Sequence, residues 1–185
     1  MDNGASSYRR FLNGDDDGIV EIIRDYKDGL MLYLNTYADN IHIAEDLMED
    51  TFVKLVTKKP HFSGKSSFKT WLYAIGRNVA VDYLRKKSKN NQVSMEEISA
   101  VLSDETDVLK QYLKDEQKIT LHKALKRINS EYIKVLYLVY FEEFNIKDTA
   151  FIIKKSYKQT ENLVYRAKKA LKTQLEKEGF VYEKL

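Results

Sequence analysis

Cysteine is absent from this 185-residue chain, which excludes disulfides and thiolate metal sites and is compatible with a reducing cytoplasm. Proline occurs once and glycine seven times. Strand-like alternation is equally scarce, whereas apolar residues recur at i, i+3 and i+4 through most of the length. An all-α protein is expected. No apolar run approaches the roughly 18 residues that span a bilayer, and the opening MDNGASSYRRFLNGDDDG lacks the apolar core of a signal peptide. A soluble, cytoplasmic chain follows as the expectation. Gly-rich phosphate loops are missing too, since GKSS at 64–67 has no upstream glycine of the P-loop kind. His42, His61 and His122 share no ligand spacing, and the serines offer no nucleophile, base and orienter set. Neither catalysis nor a metal, cofactor or small-molecule substrate is indicated.

Hydrophobic residues make up 43% of the chain, enough for real cores, and the length suits two small helical domains. The net charge of +3 hides a sharp division. Between residues 15 and 53 eleven acids face only Arg24 and Lys27; between 58 and 89 nine bases face only Asp82; between 154 and 172 seven bases face only Glu161. Solvated helix faces would explain any one block. Three blocks of alternating sign argue for two polyanion-facing surfaces and an acidic surface suited to a basic partner.

Helices are expected from Asp17 to Tyr37, from Ile41 to Thr57 with Pro60 as the stop, and from a Ser66-Ser67 cap to Lys87. Residues 88–107 read as a flexible linker that lets two domains move. Helical patterning returns from Val108 to Arg127 and from Ser130 to Phe141, with further breaks near Asn145 and Ser156 and an end near Gly179.

Three segments carry candidate function. In FSGKSSFKTWLYAIGRNVAVDYLRKK (62–87), Phe68, Trp71, Leu72, Ile75, Val79 and Tyr83 make a packing stripe, leaving Thr70, Tyr73 and Arg77 on a side free to bind. Leu84 fits neither side. Lys65, Lys69, Arg77, Arg85, Lys86 and Lys87 supply charge for phosphates, and Tyr73 could stack on an unpaired base. In IHIAEDLMEDTFVKLV, Glu45, Asp46, Glu49 and Asp50 line one side while Ala44, Leu47, Met48, Phe52 and Leu55 pack. A solvated face and a docking surface for a basic helix both fit that stripe. Lys147–Lys154, a turn at 155–157 and a following helix have the size of a helix-turn-helix. Thr160, Leu163, Val164, Ala167 and Leu171 pack, and Lys158, Glu161, Asn162, Tyr165, Arg166 and Lys169 face outward as groove-reading side chains.

The order acidic helix, F-x-G loop, SSFKTWLYAIGRNVAVDYLRKK, variable linker and C-terminal helix-turn-helix resembles a bacterial RNA polymerase sigma factor of the extracytoplasmic-function group, over about residues 10–178. No segment is left for the extra domains of housekeeping sigma factors. The resemblance implies two helical domains, residues 10–87 (region 2-like) and 108–178 (region 4-like), joined by 88–107. It implies that Asp46, Glu49 and Asp50 dock the clamp helices of the polymerase β′ subunit. The minus-10 element would be opened and a flipped base held by Phe62, Ser63, Gly64, Lys65, Ser66, Ser67 and Asn78, aided by Lys69, Tyr73, Arg77 and Arg85. The minus-35 element would be read by Lys158, Glu161, Asn162, Tyr165, Arg166 and Lys169, with the β flap contacted nearby. It also implies an anti-sigma factor, which in many members is membrane-bound. Lys158-Gln159-Thr160 replaces the family's frequent Gly-Thr-Val, and Glu161 stands where a base is frequent. An ordinary helix-turn-helix regulator and a sigma-like adaptor are the rival readings.

Overall fold

The N-terminal residues Asn3–Leu12 form a helix, α1, which the polar composition of that segment does not announce. In the computed structural model, which describes residues 3–38, 40–90, 124, 125 and 127–177, α1 lies along α2 (Asp17–Leu34). Tyr8 and Phe11 are buried, three residues apart on one face. Gly18 of α2 permits the close approach, since a Cβ there would stand 2.2 Å from the carbonyl oxygen of Ser7. The Ser7 hydroxyl donates to Glu21 at 2.6 Å, and Arg10 pairs with the same carboxylate.

Helix α3 (Ile41–Lys58) begins at Asn40, whose side chain accepts from the Ile43 amide at 2.9 Å. It ends where Lys59 turns left-handed, at φ 42°, just before Pro60. The Tyr8 hydroxyl donates to the Pro60 carbonyl at 2.8 Å and ties the exit of α3 to α1; burial pushes that phenol up to about 12. Helix α4 (Phe68–Asn90) crosses α1, α2 and α3. Phe68 and Leu72 are fully buried with Leu30, Leu34 and Leu55.

In the C-terminal part, α5 (Ser130–Leu136) runs without a break into one π-helical stretch, Tyr137–Phe141. Helices α6 (Ile146–Ile153) and α7 (Tyr157–Lys177) follow. Leu136, Leu138, Ile152, Leu163 and Ala167 form their shared interior. The two parts are in contact. Helix α4 packs on α6, and the buried apolar residues of both parts form one connected cluster. The expected helical segment from Val108 lies, apart from 124, 125 and 127, outside the described residues. So does the linker beyond Asn90, whose first residues belong to α4. Among the described residues there is no strand, and no helix is long and apolar enough to cross a membrane.

Candidate nucleic-acid and protein interfaces

The expected acidic stripe is presented on α3. Ala44, Leu47, Phe52 and Leu55 are buried, and Asp46, Glu49 and Asp50 are exposed. Glu45 sits at the edge, 3.3 Å from His42. Sequence reasoning missed that Val53 and Val56 extend the stripe as exposed apolar residues, 56% and 38% accessible. Their signal was positional: they follow Glu49 by four and seven residues, on its face of the helix. Acids fringed by exposed valines suit a protein partner better than water alone.

Between α3 and α4 the chain makes an open loop. Gly64 is left-handed at φ 71° with nothing near its missing Cβ, so glycine is needed there for the turn and not for space. Ser63, Gly64, Lys65 and Ser67 are exposed, and Ser66 is half-buried. Ser67 is the working cap of α4, its hydroxyl accepting from the Thr70 amide at 3.1 Å and pairing with the Thr70 hydroxyl at 2.7 Å. Phe62 is half-buried, its ring 5.7 Å from Phe68 and 5.1 Å from Trp71. This aromatic group, joined by Tyr8, stiffens the base of the loop.

The expectation that α4 has one free side needs correction. Of its expected packing stripe Phe68 and Leu72 are buried and Trp71, Ile75, Val79 and Tyr83 are half-buried against the core, but Thr70 is fully buried and Tyr73 is 1% exposed. Tyr73 stacks on Tyr33 at 5.5 Å and meets Phe144 of the C-terminal part at 5.1 Å. Burial first, and the Glu142 charge second, hold its phenol far above the ordinary range. Lys69 is also turned toward the C-terminal part, while Arg77 and Asn78 are half-buried and Arg85 is exposed beside Asp82 at 3.5 Å. Leu84, which no periodicity placed, lines a cleft with Arg77 and Val81 opposite Lys134, Ile153 and Leu163. It faces the other half of the molecule.

The helix-turn-helix is built by its caps. Asn145 accepts from the Asp148 amide at 2.8 Å to start α6, and Lys154 ends it in the left-handed region at φ 57°. Ser156 and Gln159 then form a reciprocal capping box on α7. The Gln159 amide donates to the Ser156 hydroxyl at 3.2 Å, and the Ser156 amide donates to the Gln159 side chain at 2.9 Å. The departure Lys158-Gln159-Thr160 thus carries a capping role. Thr160, Leu163, Val164 and Ala167 are buried, and Lys158, Glu161, Asn162, Tyr165, Arg166 and Lys169 are all exposed. Glu161 pairs with Lys158 at 2.9 Å, which raises the lysine pKa, and Arg166 folds back onto the Asn162 carbonyl at 3.4 Å. Among the described residues Tyr165 is the most exposed large apolar side chain, at 70%. Among the described residues no group of three or more His, Asp or Glu could hold a metal.

Comparison with known proteins bears on these surfaces. Residues 22–90 match the sigma-70 region 2 family, a stretch that holds the acidic stripe, the loop and all of α4. The chain is 28% identical to the RNA polymerase sigma factor YlaC of Bacillus subtilis (strain 168) over 162 residues, 87% of this chain and 94% of that one. It is 26% identical to the ECF RNA polymerase sigma factor SigM of the same organism over 154 residues, 83% and 93% of the two chains. Among solved structures it resembles the sigma factor RpoE from Bartonella quintana, in complex with the anti-sigma factor NepR, with a TM-score of 0.65 and 22% identity over 84% of this chain and 95% of that one. CnrH, solved with the cytosolic domain of CnrY, gives the same TM-score at 17% identity over 94% and 95%. At such identities the structural likeness establishes the all-α fold.

Proposed function

Because the chain belongs to the sigma-70 family of RNA polymerase sigma factors, in its extracytoplasmic-function group, we propose that it binds core RNA polymerase, reads a minus-35 duplex and opens minus-10 DNA. The observation that carries this reading is the pairing, on one chain, of an exposed acid-and-valine face on α3 with an exposed polar face on α7. The first suits basic helices such as the β′ clamp; the second suits a major groove.

Residues 10–87 serve polymerase and minus-10 binding in this reading, and 108–178 serve minus-35 binding and the β flap. The open loop at 62–67 and Asn78 hold the flipped base, with loop hydroxyls and an amide as hydrogen-bonding groups. Ser67 takes part through its backbone, its hydroxyl being used as a cap. On α7, Asn162 and Arg166 provide base-edge and phosphate contacts, and the Lys158–Glu161 pair sets the charge at the helix start. Binding energy drives strand opening, with no covalent chemistry by this chain. The similar sigma factor RpoE, solved with the anti-sigma factor NepR, supports a partner of that kind here.

Labelled full-length chain titrated with purified core polymerase tests the reading. Saturable binding that salt weakens is expected. Binding to duplex DNA alone, with none to polymerase, would return an ordinary helix-turn-helix regulator.

A further inference from the structure

We propose that Glu142 is an intramolecular latch that holds the C-terminal part closed over Lys69 and Tyr73, so that the free chain masks part of its own minus-10 surface. The inference rests on the assignment of that surface under Proposed function and adds to it a regulation residing in this chain.

Glu142 follows the π-helical stretch directly, and its amide donates back to the Tyr137 carbonyl at 3.1 Å. A π turn inserts one residue into a helix and redirects what comes next, a device common at functional positions. Glu143 then turns left-handed at φ 58°, and Phe144 enters the interface. The Glu142 side chain is only 11% exposed. A carboxylate so far from water needs partners, and it finds them on α4: Lys69 Nζ at 2.9 Å and the Tyr73 hydroxyl, which donates to it at 2.6 Å. The Lys69 ammonium donates as well to the backbone carbonyl of Glu142 at 2.9 Å and lies 4.9 Å from the centre of the Phe144 ring.

Two features make this a latch rather than ordinary packing. An ion pair largely withdrawn from water, here with Lys69 35% and Glu142 11% exposed, specifies one geometry while adding little net stability, because both ions regain water when they part. The pair therefore selects the closed geometry more than it deepens it, beside the apolar contact of α4 with α6. The second feature is Gly29, in the body of α2, where glycine is a poor helix former. A Cβ there would stand 2.7 Å from a Glu142 carboxylate oxygen and 2.7 Å from the Tyr73 hydroxyl. The missing side chain is the space the latch occupies. In the closed chain the Glu142 carboxylate takes the place a DNA phosphate would take on Lys69, so the two anions compete for one ammonium.

Two full-length variants break the latch from opposite sides, Glu142→Ala by removing the carboxylate and Gly29→Ala by filling its seat. The chain has no cysteine, so Val20→Cys and Phe151→Cys, both more than half exposed, accept spin labels for interdomain distances by electron–electron resonance. Binding of a fluorescein-labelled 20-nucleotide oligothymidylate is measured in parallel without labels. Both variants are expected to shift the distances to longer values and to tighten oligothymidylate binding on the order of tenfold, as a competent state rises from a minor to a major population. Circular dichroism confirms that each variant is folded, and Glu142→Gln, which keeps shape and loses charge, is expected to fall between. Unchanged distances in both variants would overturn the latch. Longer distances with unchanged DNA affinity would overturn the masking and locate the failure in the reading of α4 as a nucleic-acid face, since the halves would have parted.

Discussion

Asp46, Glu49 and Asp50 are available because Ile41, Ala44, Leu47, Thr51, Phe52 and Leu55 take the buried positions of α3. The docking role proposed for them is electrostatic, so reversing two charges is the direct test. Asp46→Lys/Glu49→Lys is expected to weaken polymerase association about tenfold or more while the thermal unfolding midpoint stays within a few degrees. Unchanged association would discard the docking assignment. Asn78, half-buried on α4, is assigned to the flipped base. Asn78→Ala should lower permanganate reactivity of the opened strand more than it lowers closed-complex formation, and an equal loss of both would count against the base pocket. Glu21 gives a pH prediction. The Ser7 hydroxyl, then Arg10, hold its carboxyl below the usual range. A depressed folded pKa contributes stability above the unfolded value of about 4.3, and loses it as pH falls through the folded pKa. The stability gap between the wild type and Glu21→Gln is therefore expected to be largest near neutrality and to close in acid; a gap independent of pH would assign the effect to packing.

Among the elements, α1 depends on Gly18. Gly18→Ala places a Cβ against the Ser7 carbonyl, a backbone atom that cannot swing aside, and should cost about 1–3 kcal/mol, read as a lower urea midpoint. An unchanged midpoint would mean that α1 is not anchored there. Elements set by local chemistry were legible in the sequence. Asn145 and Ser156 announced α6 and α7, and of the expected stripe Thr160, Leu163, Val164 and Ala167 are buried and Leu171 is half-buried. Helix α1 was not legible, because its packing face alternates two aromatics, Tyr8 and Phe11, with Gly4 and Ser7, small residues that act through close approach. The π turn was hidden as well, since YLVYF reads as apolar whichever helix it forms. The second buried side of α4 could not be read from periodicity. Tyr73 meets Phe144 and Leu84 faces Lys134, Ile153 and Leu163, residues some 50 to 80 positions away, while Thr70 is held by the Ser67 hydroxyl, so their polarity or offset looked like exposure.

At the scale of the molecule, charge is sorted into one acidic and two basic blocks, which the proposed function uses to face a basic protein and DNA at once. The acidic block lies mainly on α2 and α3, and the basic blocks lie on α4 with its preceding loop and on α6–α7. Such sorting makes association with both partners sensitive to salt, since exposed charges act over about a Debye length. The contact of α4 with α6 adds a constraint to the proposed function, in which the minus-10 and minus-35 faces must both become accessible on one promoter. Run-off transcription from genomic fragments, with core polymerase in the presence and absence of the full chain, tests the central claim most directly. New start sites that share two spaced sequence elements, and that are lost with Asp46→Lys/Glu49→Lys, are the predicted result. Initiation that is the same with and without the chain, even though it binds polymerase, would contradict it.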